Sequence, residues 1–311
     1  MNNRPYALVT ACRNEALFIR ELIATVTSQT ARPKKWVIVD DNSSDSTFEL
    51  AQAAGKQYDF IDVRRANSNR TRSFSSQVYA QQEGYEALRG TGFEFIGFLD
   101  ADIQLPSDYY ERILAFLESD ESLAIAGGLV VDRQGGSLNR QRLKSLDHHV
   151  AGGVQFFRRQ CYEEINGYAP IEGGGQDTVA ETMCMMRGWE VRSFADVVAY
   201  HLRPSEGDAH THFRAGVRWG QMCYNLGYHP LYYGTNTIMR FFGRPSIRLA
   251  GGQAYGFCQA SIRAKARPVS TEFIKFVRKR QMQKMWKFVF PGHGLRHPNA
   301  IVSNDKGRSH T

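Results

Sequence analysis

Two acidic clusters each follow a short apolar run. Asp40-Asp41-Asn42-Ser43-Ser44-Asp45 comes after Trp36-Val37-Ile38-Val39, and Asp100-Ala101-Asp102 comes after Phe93–Leu99. Carboxylates at i and i+2 leaving a strand can both reach a hard divalent cation or its water shell, and such a cation neutralises a diphosphate. Asp, Asn and Ser are also ordinary turn and cap residues, so either cluster alone reads equally as turn chemistry. A third acidic position is Asp177, just after Gly173-Gly174-Gly175-Gln176. Three glycines let a loop approach a ligand closely, and Asp177 then opens a helix suggested by Thr178, Glu181, Met185 and Trp189. Without chemistry, Thr178 and Glu181 would be a capping box and Asp177 a favourable anion at the positive helix end. His201-Leu202-Arg203 ends the apolar run Val197–Tyr200. There His201 is either a third cation ligand or a structural histidine, and Arg203 is available to phosphate oxygens.

The elements that position these residues follow from periodicity. Ala7-Leu8-Val9 and Trp36–Val39 are β-rich and apolar, as strands buried on both faces are. Between them Ile19, Leu22, Ile23 and Val26 recur with helical spacing. The pattern predicts a second helix from about Ser46, where Ser46 and Glu49 have capping-box spacing, then a weak strand near 60–63. A helix near 75–89, the strand Phe93–Leu99 and a helix from about Ser107 follow. Repeated strand–helix units imply a mostly parallel sheet flanked by helices, with ligands beyond the carboxyl ends of its strands. No Gly-x-Gly-x-x-Gly or Gly-x-x-x-x-Gly-Lys loop follows a strand.

Composition limits the alternatives. The chain has 311 residues, 42% hydrophobic and 23% charged, which excludes wholesale disorder and a small disulfide scaffold. Five scattered cysteines without Cys-x-x-Cys spacing read as reduced thiols, mostly in the core. No apolar run approaches the ~18 residues of a membrane span, and no apolar segment near the N-terminus resembles a signal peptide. Residence in the cytoplasm, peripheral on the cytoplasmic face of the inner membrane, is the expectation. The net charge of +8 is uneven. Residues 201–311 hold 18 Lys and Arg against 4 Asp and Glu, or +14, while residues 1–200 sum to −6. In the basic third, Tyr228–Tyr233, Met239–Phe242 and Lys275–Lys287 interleave aromatic residues with cations. That pattern suits either an anionic membrane surface or a helical subdomain packed on the core. The last basic helix carries a stripe of Ile274, Val277, Met285 and Phe288, interrupted by Gln281.

Together, Thr10-Ala11-Cys12-Arg13-Asn14-Glu15, Gln29-Thr30, Val39–Thr47, Leu99–Asp102, Gly167-Tyr168, Gly173–Asp177 and His201–Arg203 resemble the family 2 inverting glycosyltransferases with the GT-A fold. The resemblance spans roughly residues 5–205 with the motifs in the family's order. It implies a catalytic unit over residues 1–205; the charge and aromatic pattern adds a basic helical subdomain over 206–302, and the last residues read as a tail over 303–311. It implies that Thr10, Arg13 and Glu15 line the base and ribose of a nucleotide-diphospho-sugar donor, and that Asp41, with Asp40, holds the base. Asp100 and Asp102 form the Asp-x-Asp, Asp102 being the direct ligand of Mg2+ or Mn2+, and His201 completes the metal and diphosphate site. Asp177 falls at the general base; Gly174, Gln176 and Arg203 fall on the acceptor and diphosphate side. The acceptor would be a saccharide or a lipid-linked saccharide. A carboxylate on the base favours UDP, through the N3–H of uracil.

Two departures matter. Gln176 stands where the family usually has Glu, so a partner for the base must come from elsewhere, with Glu172 and Glu181 as candidates. The family's Lys-rich segment is replaced by Asn69–Ser76, where Arg70 and Arg72 would do the phosphate-side work. Two other readings remain at this stage. A nucleotidyltransferase would need a Gly/Arg/Lys-rich triphosphate loop near the N-terminus, which the chain lacks. A nucleic-acid-binding module would use the basic third, but no nucleic-acid motif occurs and no such partner is expected.

Overall fold

The computed structural model describes residues 4–67, 73–133, 148–203, 209–242, 247–263 and 266–289. The expected strand–helix units form in order: β1 (Tyr6–Cys12), α1 (Ile19–Thr27), β2 (Lys35–Asp40), α2 (Thr47–Gln57), β3 (Ile61–Arg65), α3 (Phe74–Glu86) and β4 (Phe95–Phe98). There follow β5 (Ile103–Gln104), α4 (Tyr109–Ser119), β6 (Leu123–Asp132), β7 (Phe156–Arg158), α5 (Arg159–Glu164), α6 (Gln176–Met186) and β8 (Glu190–His201). One sheet runs β3-β2-β1-β4-β7-β6-β8-β5.

Strand direction decides where the chemistry meets. Strands β3, β2, β1 and β4 are parallel. β7 runs antiparallel to β4 and β6 antiparallel to β7, so two reversals restore the direction of β4. β8 is parallel to β6. The carboxyl ends of β1, β2, β4, β6 and β8 therefore share one edge, which carries Asp40, Asp100, Asp132 and His201. The body of the sheet is apolar: Leu8, Val9, Trp36, Val37, Ile38, Phe95, Ile96, Phe156 and Phe157 are fully buried or nearly so.

Two expected caps form differently. Ser46 makes no side-chain cap; instead the Asp45 carboxylate accepts the Thr47 amide at 3.0 Å. A capping box appears at Ser73 and Ser76 of α3. At α6 the N-cap is Gly175, with φ of 93°, so the expected Thr178–Glu181 box does not form. A glycine there takes the left-handed turn without steric cost and lets the helix start earlier, at Gln176.

Among the described residues four helices follow: α7 (Ala209–Asn225), α8 (Pro230–Phe242), α9 (Ile247–Arg263) and α10 (Thr271–Val289). The boundary expected at 205/206, the tail from 303 and Arg70 and Arg72 all lie outside the described residues. α10 docks on the catalytic part, where Phe273 and Val277 join Ile171, Val179 and Leu226 in one buried cluster. The apolar stripe of α10 thus faces protein rather than solvent at Val277. Gln281, expected to interrupt the stripe, is buried and accepts the His229 amide at 2.8 Å. Among the described residues no helix is long and apolar enough to cross a membrane.

α7 and α9 pack through glycines. A methyl at Gly216 or Gly220 would overlap the carbonyl oxygens of Leu249 or Gln253; one at Gly252 or Gly256 would overlap those of Phe213 or Val217. Backbone cannot step aside as a rotamer can, so Gly256→Ala should destabilise this pair by about 1–3 kcal/mol. The ~1 kcal/mol gain in helix propensity from alanine offsets that only in part. Gly251, on the same helix, faces open space. Hydrogen exchange should therefore show α7 and α9 losing protection in Gly256→Ala and keeping it in Gly251→Ala.

Candidate active site

The first two connecting loops are stitched to each other. The Asn14 amide donates to Ser43 Oγ at 2.9 Å, the Ser44 amide to Asn14 Oδ1 at 2.8 Å and the Glu15 amide to Thr47 Oγ1 at 2.8 Å. Asn14 and Asn42 both sit at φ of 57°, the left-handed region asparagine tolerates. Much of the Asp40–Asp45 cluster is therefore turn structure. Asp40 is fully buried; its Oδ2 accepts the Ser43 amide, and its Oδ1 has no hydrogen-bond partner. Asp41 is also largely buried and pairs with Arg13 at 3.5 Å. Thr10 is not brought to the cleft: it is fully buried in β1, and its hydroxyl accepts the Trp36 indole N–H at 3.1 Å. Side-chain size at that position is set by packing, a constraint that its place in the motif does not reveal.

At the end of β4, Asp100 Oδ1 accepts from Gln77 Nε2 at 3.1 Å. A tight turn at Gly152–Val154 passes beside it. A β-carbon at Gly153 would stand 2.8 Å from Asp100 Oδ2, and one at Gly152 would stand 3.0 Å from Asp177 Oδ2. Two adjacent glycines thus separate the Asp-x-Asp from the acid at the start of α6. Burial, with the Asp102 and Asp177 charges adding to it, pushes the Asp100 carboxyl up to about 7. Asp177 is partly exposed, and its Oδ1 accepts the Thr178 amide at 2.8 Å.

Asp102 and His201 meet because β5 pairs with β8, placing Ile103 opposite His201. Asp102 Oδ2 lies 3.3 Å from His201 Nε2 and accepts from Arg203 Nε at 2.9 Å. Burial pushes Asp102 up, but the hydrogen bonds from His201 and Arg203 outweigh it and hold the carboxyl below its ordinary value. The Asp102 hydrogen bond raises His201 in turn. Arg203 also reaches Glu15, at 2.7 and 2.6 Å from its two oxygens. Glu15, expected at the base and ribose, and Arg203, expected on the acceptor and diphosphate side, thus form an ion pair.

Two contributors were not singled out by residue type. Asp132, at the end of β6, faces His201 Nδ1 at 3.6 Å, which turns Nε2 toward Asp102. Its signal was available: like Asp40 and Asp100, it ends an apolar β-rich run. Gln77 carries no such signal. Glu181, a candidate partner for the base, is buried and committed elsewhere: it accepts from the Val150 amide at 2.7 Å and Gln155 Nε2 at 2.9 Å, and faces His149 Nδ1 at 3.1 Å. Burial raises its carboxyl. It anchors the strap that leads into Gly152 and Gly153. Glu172 is exposed on the turn before Gly173. Gly174 is buried at φ of 80°, and the Gln176 side-chain carbonyl is buried with no hydrogen-bond partner.

A divalent cation fits this donor set. Among the described residues no three His, Cys, Asp or Glu side chains converge to hold an ion unaided. Asp102 and His201 offer two donors, and Mg2+-type ions are commonly held by one or two carboxylates with the rest of the shell from water and substrate phosphates.

A mostly parallel sheet whose acidic carboxyl edge faces a glycine-bounded acidic helix start has the GT-A glycosyltransferase architecture. Solved structures agree: a mannosyltransferase from Pyrobaculum calidifontis in complex with GDP-Man and Mn2+ superposes with a TM-score of 0.56 at 18% identity, over 94% of this chain and 82% of that one. Residues 1–349 of S. aureus TarS, in complex with UDP-GlcNAc, superpose with a TM-score of 0.55 at 14% identity, over 90% and 91%. The glycosyl transferase family 2 model matches residues 7–175, and the chain belongs to that family. Glycosyltransferase AglE of Haloferax volcanii is 27% identical over 65% of this chain and 69% of its own length. Beta-monoglucosyldiacylglycerol synthase of Trichormus variabilis is 22% identical, and this chain spans 39% of it. Poly-beta-1,6-N-acetyl-D-glucosamine synthase of Staphylococcus epidermidis is 26% identical, and this chain spans 52% of it. The family match makes the protein a glycosyltransferase.

Proposed function

We propose that the chain is a metal-dependent, inverting glycosyltransferase that moves one sugar from a nucleotide-diphospho-sugar to a hydroxyl of a saccharide or lipid-linked saccharide. The observation that carries this reading is the Gly152–Gly153 turn, which sets the Asp-x-Asp and Asp177 on either side of a dipeptide. Donor and acceptor sites built on those two acids would share one reaction centre.

Asp102 and His201 would hold Mg2+ or Mn2+, with Asp132 orienting the imidazole. When bound, the cation would offset the negative charge that develops on the departing diphosphate. Asp41 and Arg13 would meet the base, a uracil N3–H suiting the carboxylate. Glu15 and Arg203 would separate on donor binding, freeing the guanidinium for diphosphate oxygens. Asp177 would accept the proton of the acceptor hydroxyl as that oxygen bonds to the anomeric carbon and the bond to the diphosphate breaks. Attack from the face opposite the leaving group inverts the anomeric centre. The unpartnered Gln176 carbonyl would accept a hydrogen bond from an acceptor hydroxyl.

Thermal unfolding tests the donor half. A ligand at ~100 times its dissociation constant adds ~2.7 kcal/mol, a shift of several degrees. With Mn2+, UDP-sugars should raise the midpoint and EDTA should abolish the rise. A shift that is indifferent to EDTA would rule out the metal. A shift with GDP-sugars alone would overturn the uracil assignment.

A further inference from the structure

The apolar stripe that the sequence places on α10 turns inward at Val277, and a different apolar surface stands open on α9. At ~100° per residue, Ile247, Gly251, Ala254, Tyr255, Cys258 and Ile262 fall within an arc of about 100° on that helix. Ile247 is 70% exposed, Tyr255 53% and Ile262 84%, and Cys258 is exposed. Phe213 of α7, 40% exposed, extends the surface, its ring centroid 6.1 Å from that of Tyr255. The glycine contact holds the two helices close enough for these rings to form one face.

Charge says what covers it. Arg214, Arg248 and Arg263 are exposed, each next in sequence to one of the apolar residues Phe213, Ile247 and Ile262. Between residues 209 and 289 the sequence has 14 Lys and Arg and one acid, Glu272. A second copy of this chain would bring cations against cations at this face. Apolar side chains ringed by arginines match the boundary of an anionic bilayer, where rings and isoleucines enter the acyl region and guanidinium groups meet headgroup phosphates.

We propose that the face formed by α9 and Phe213 seats the enzyme on an anionic lipid bilayer. Phe213 stands nine residues before Met222 on α7, about 14 Å along the helix. Met222 and Leu226 close on Gly175, the residue that starts α6 and places Asp177. Seating α7 and α9 would fix the height of the acceptor side of the cleft above the membrane. The lipid-linked acceptor this suits rests on the proposed transfer reaction; the seating itself does not.

Sedimentation of the full chain with vesicles tests it without donor or turnover. Phosphatidylcholine vesicles containing phosphatidylglycerol should carry the protein down, and phosphatidylcholine alone should carry far less. The double substitution Ile247→Ser with Ile262→Ser should lower partitioning about tenfold or more, as loss of two buried apolar side chains requires. Both sites are exposed, so the variant should keep the wild-type unfolding midpoint and donor response. Three results would overturn the proposal: protein remaining in the supernatant with anionic vesicles, partitioning unchanged by the two serines, or a wild-type dimer that the serines dissociate. Intact vesicle binding with no donor response would instead count against the catalytic reading alone.

Discussion

Asp177→Asn is expected to lower sugar transfer by about 100- to 10,000-fold, the range associated with removing a positioned general base. The amide keeps the volume of the carboxylate and can still accept the Thr178 amide through its oxygen. It loses the basic carboxylate that takes the acceptor proton, so the hydroxyl must attack while still protonated. Donor binding should persist, because the Gly152–Gly153 turn lies between this side chain and the Asp-x-Asp. The measurement is turnover beside the donor-induced thermal shift for the same preparation. Full turnover by folded Asp177→Asn would remove the base from the mechanism. Loss of the donor shift along with turnover would move Asp177 to the donor site.

Asp102→Asn should act on both readouts at once. The carboxylate is tied to His201 and to Arg203, and those partners keep it ionised. Replacing it with a neutral amide removes the charge that would hold a divalent ion. It also leaves Arg203 with Glu15 as its remaining carboxylate partner. Electrostatic help to a leaving diphosphate is worth several kcal/mol, so turnover should fall by about 1,000-fold. The Mn2+-dependent part of the donor shift should vanish with it. A variant that keeps a shift abolished by EDTA would show that the ion is held elsewhere, and Asp100 would become the candidate.

Much of the cleft was legible because the relevant signals are local. Apolar runs ending in Asp40, Asp100 and His201 mark the carboxyl ends of strands, and the fold places all three at one edge. The glycine run before Asp177 marks the turn that opens α6. Where reading by motif failed, packing had intervened. Thr10 stands in the motif with Arg13 and Glu15, yet Trp36 claims its hydroxyl from the neighbouring strand. Glu181 has the spacing of a capping residue and a charge suited to the base, yet the strap from His149 to Gln155 consumes it.

The chain by itself determined the alternation of strands and helices, the basic character of its last third and the residue types available for chemistry, because each depends on periodicity or composition within a short window. Tertiary structure alone decided which of those residues meet. The juxtaposition of Asp100 with Asp177 depends on a glycine turn some 50 residues after the first and 24 before the second in sequence. Asp132 reaches His201 through the register of two strands paired across the sheet. The open face of α9 exists because the glycines on its inner side let α7 close on it, while Phe273 and Val277 turn the last helix inward. Such contacts join residues far apart in the chain, and no local pattern encodes their partners.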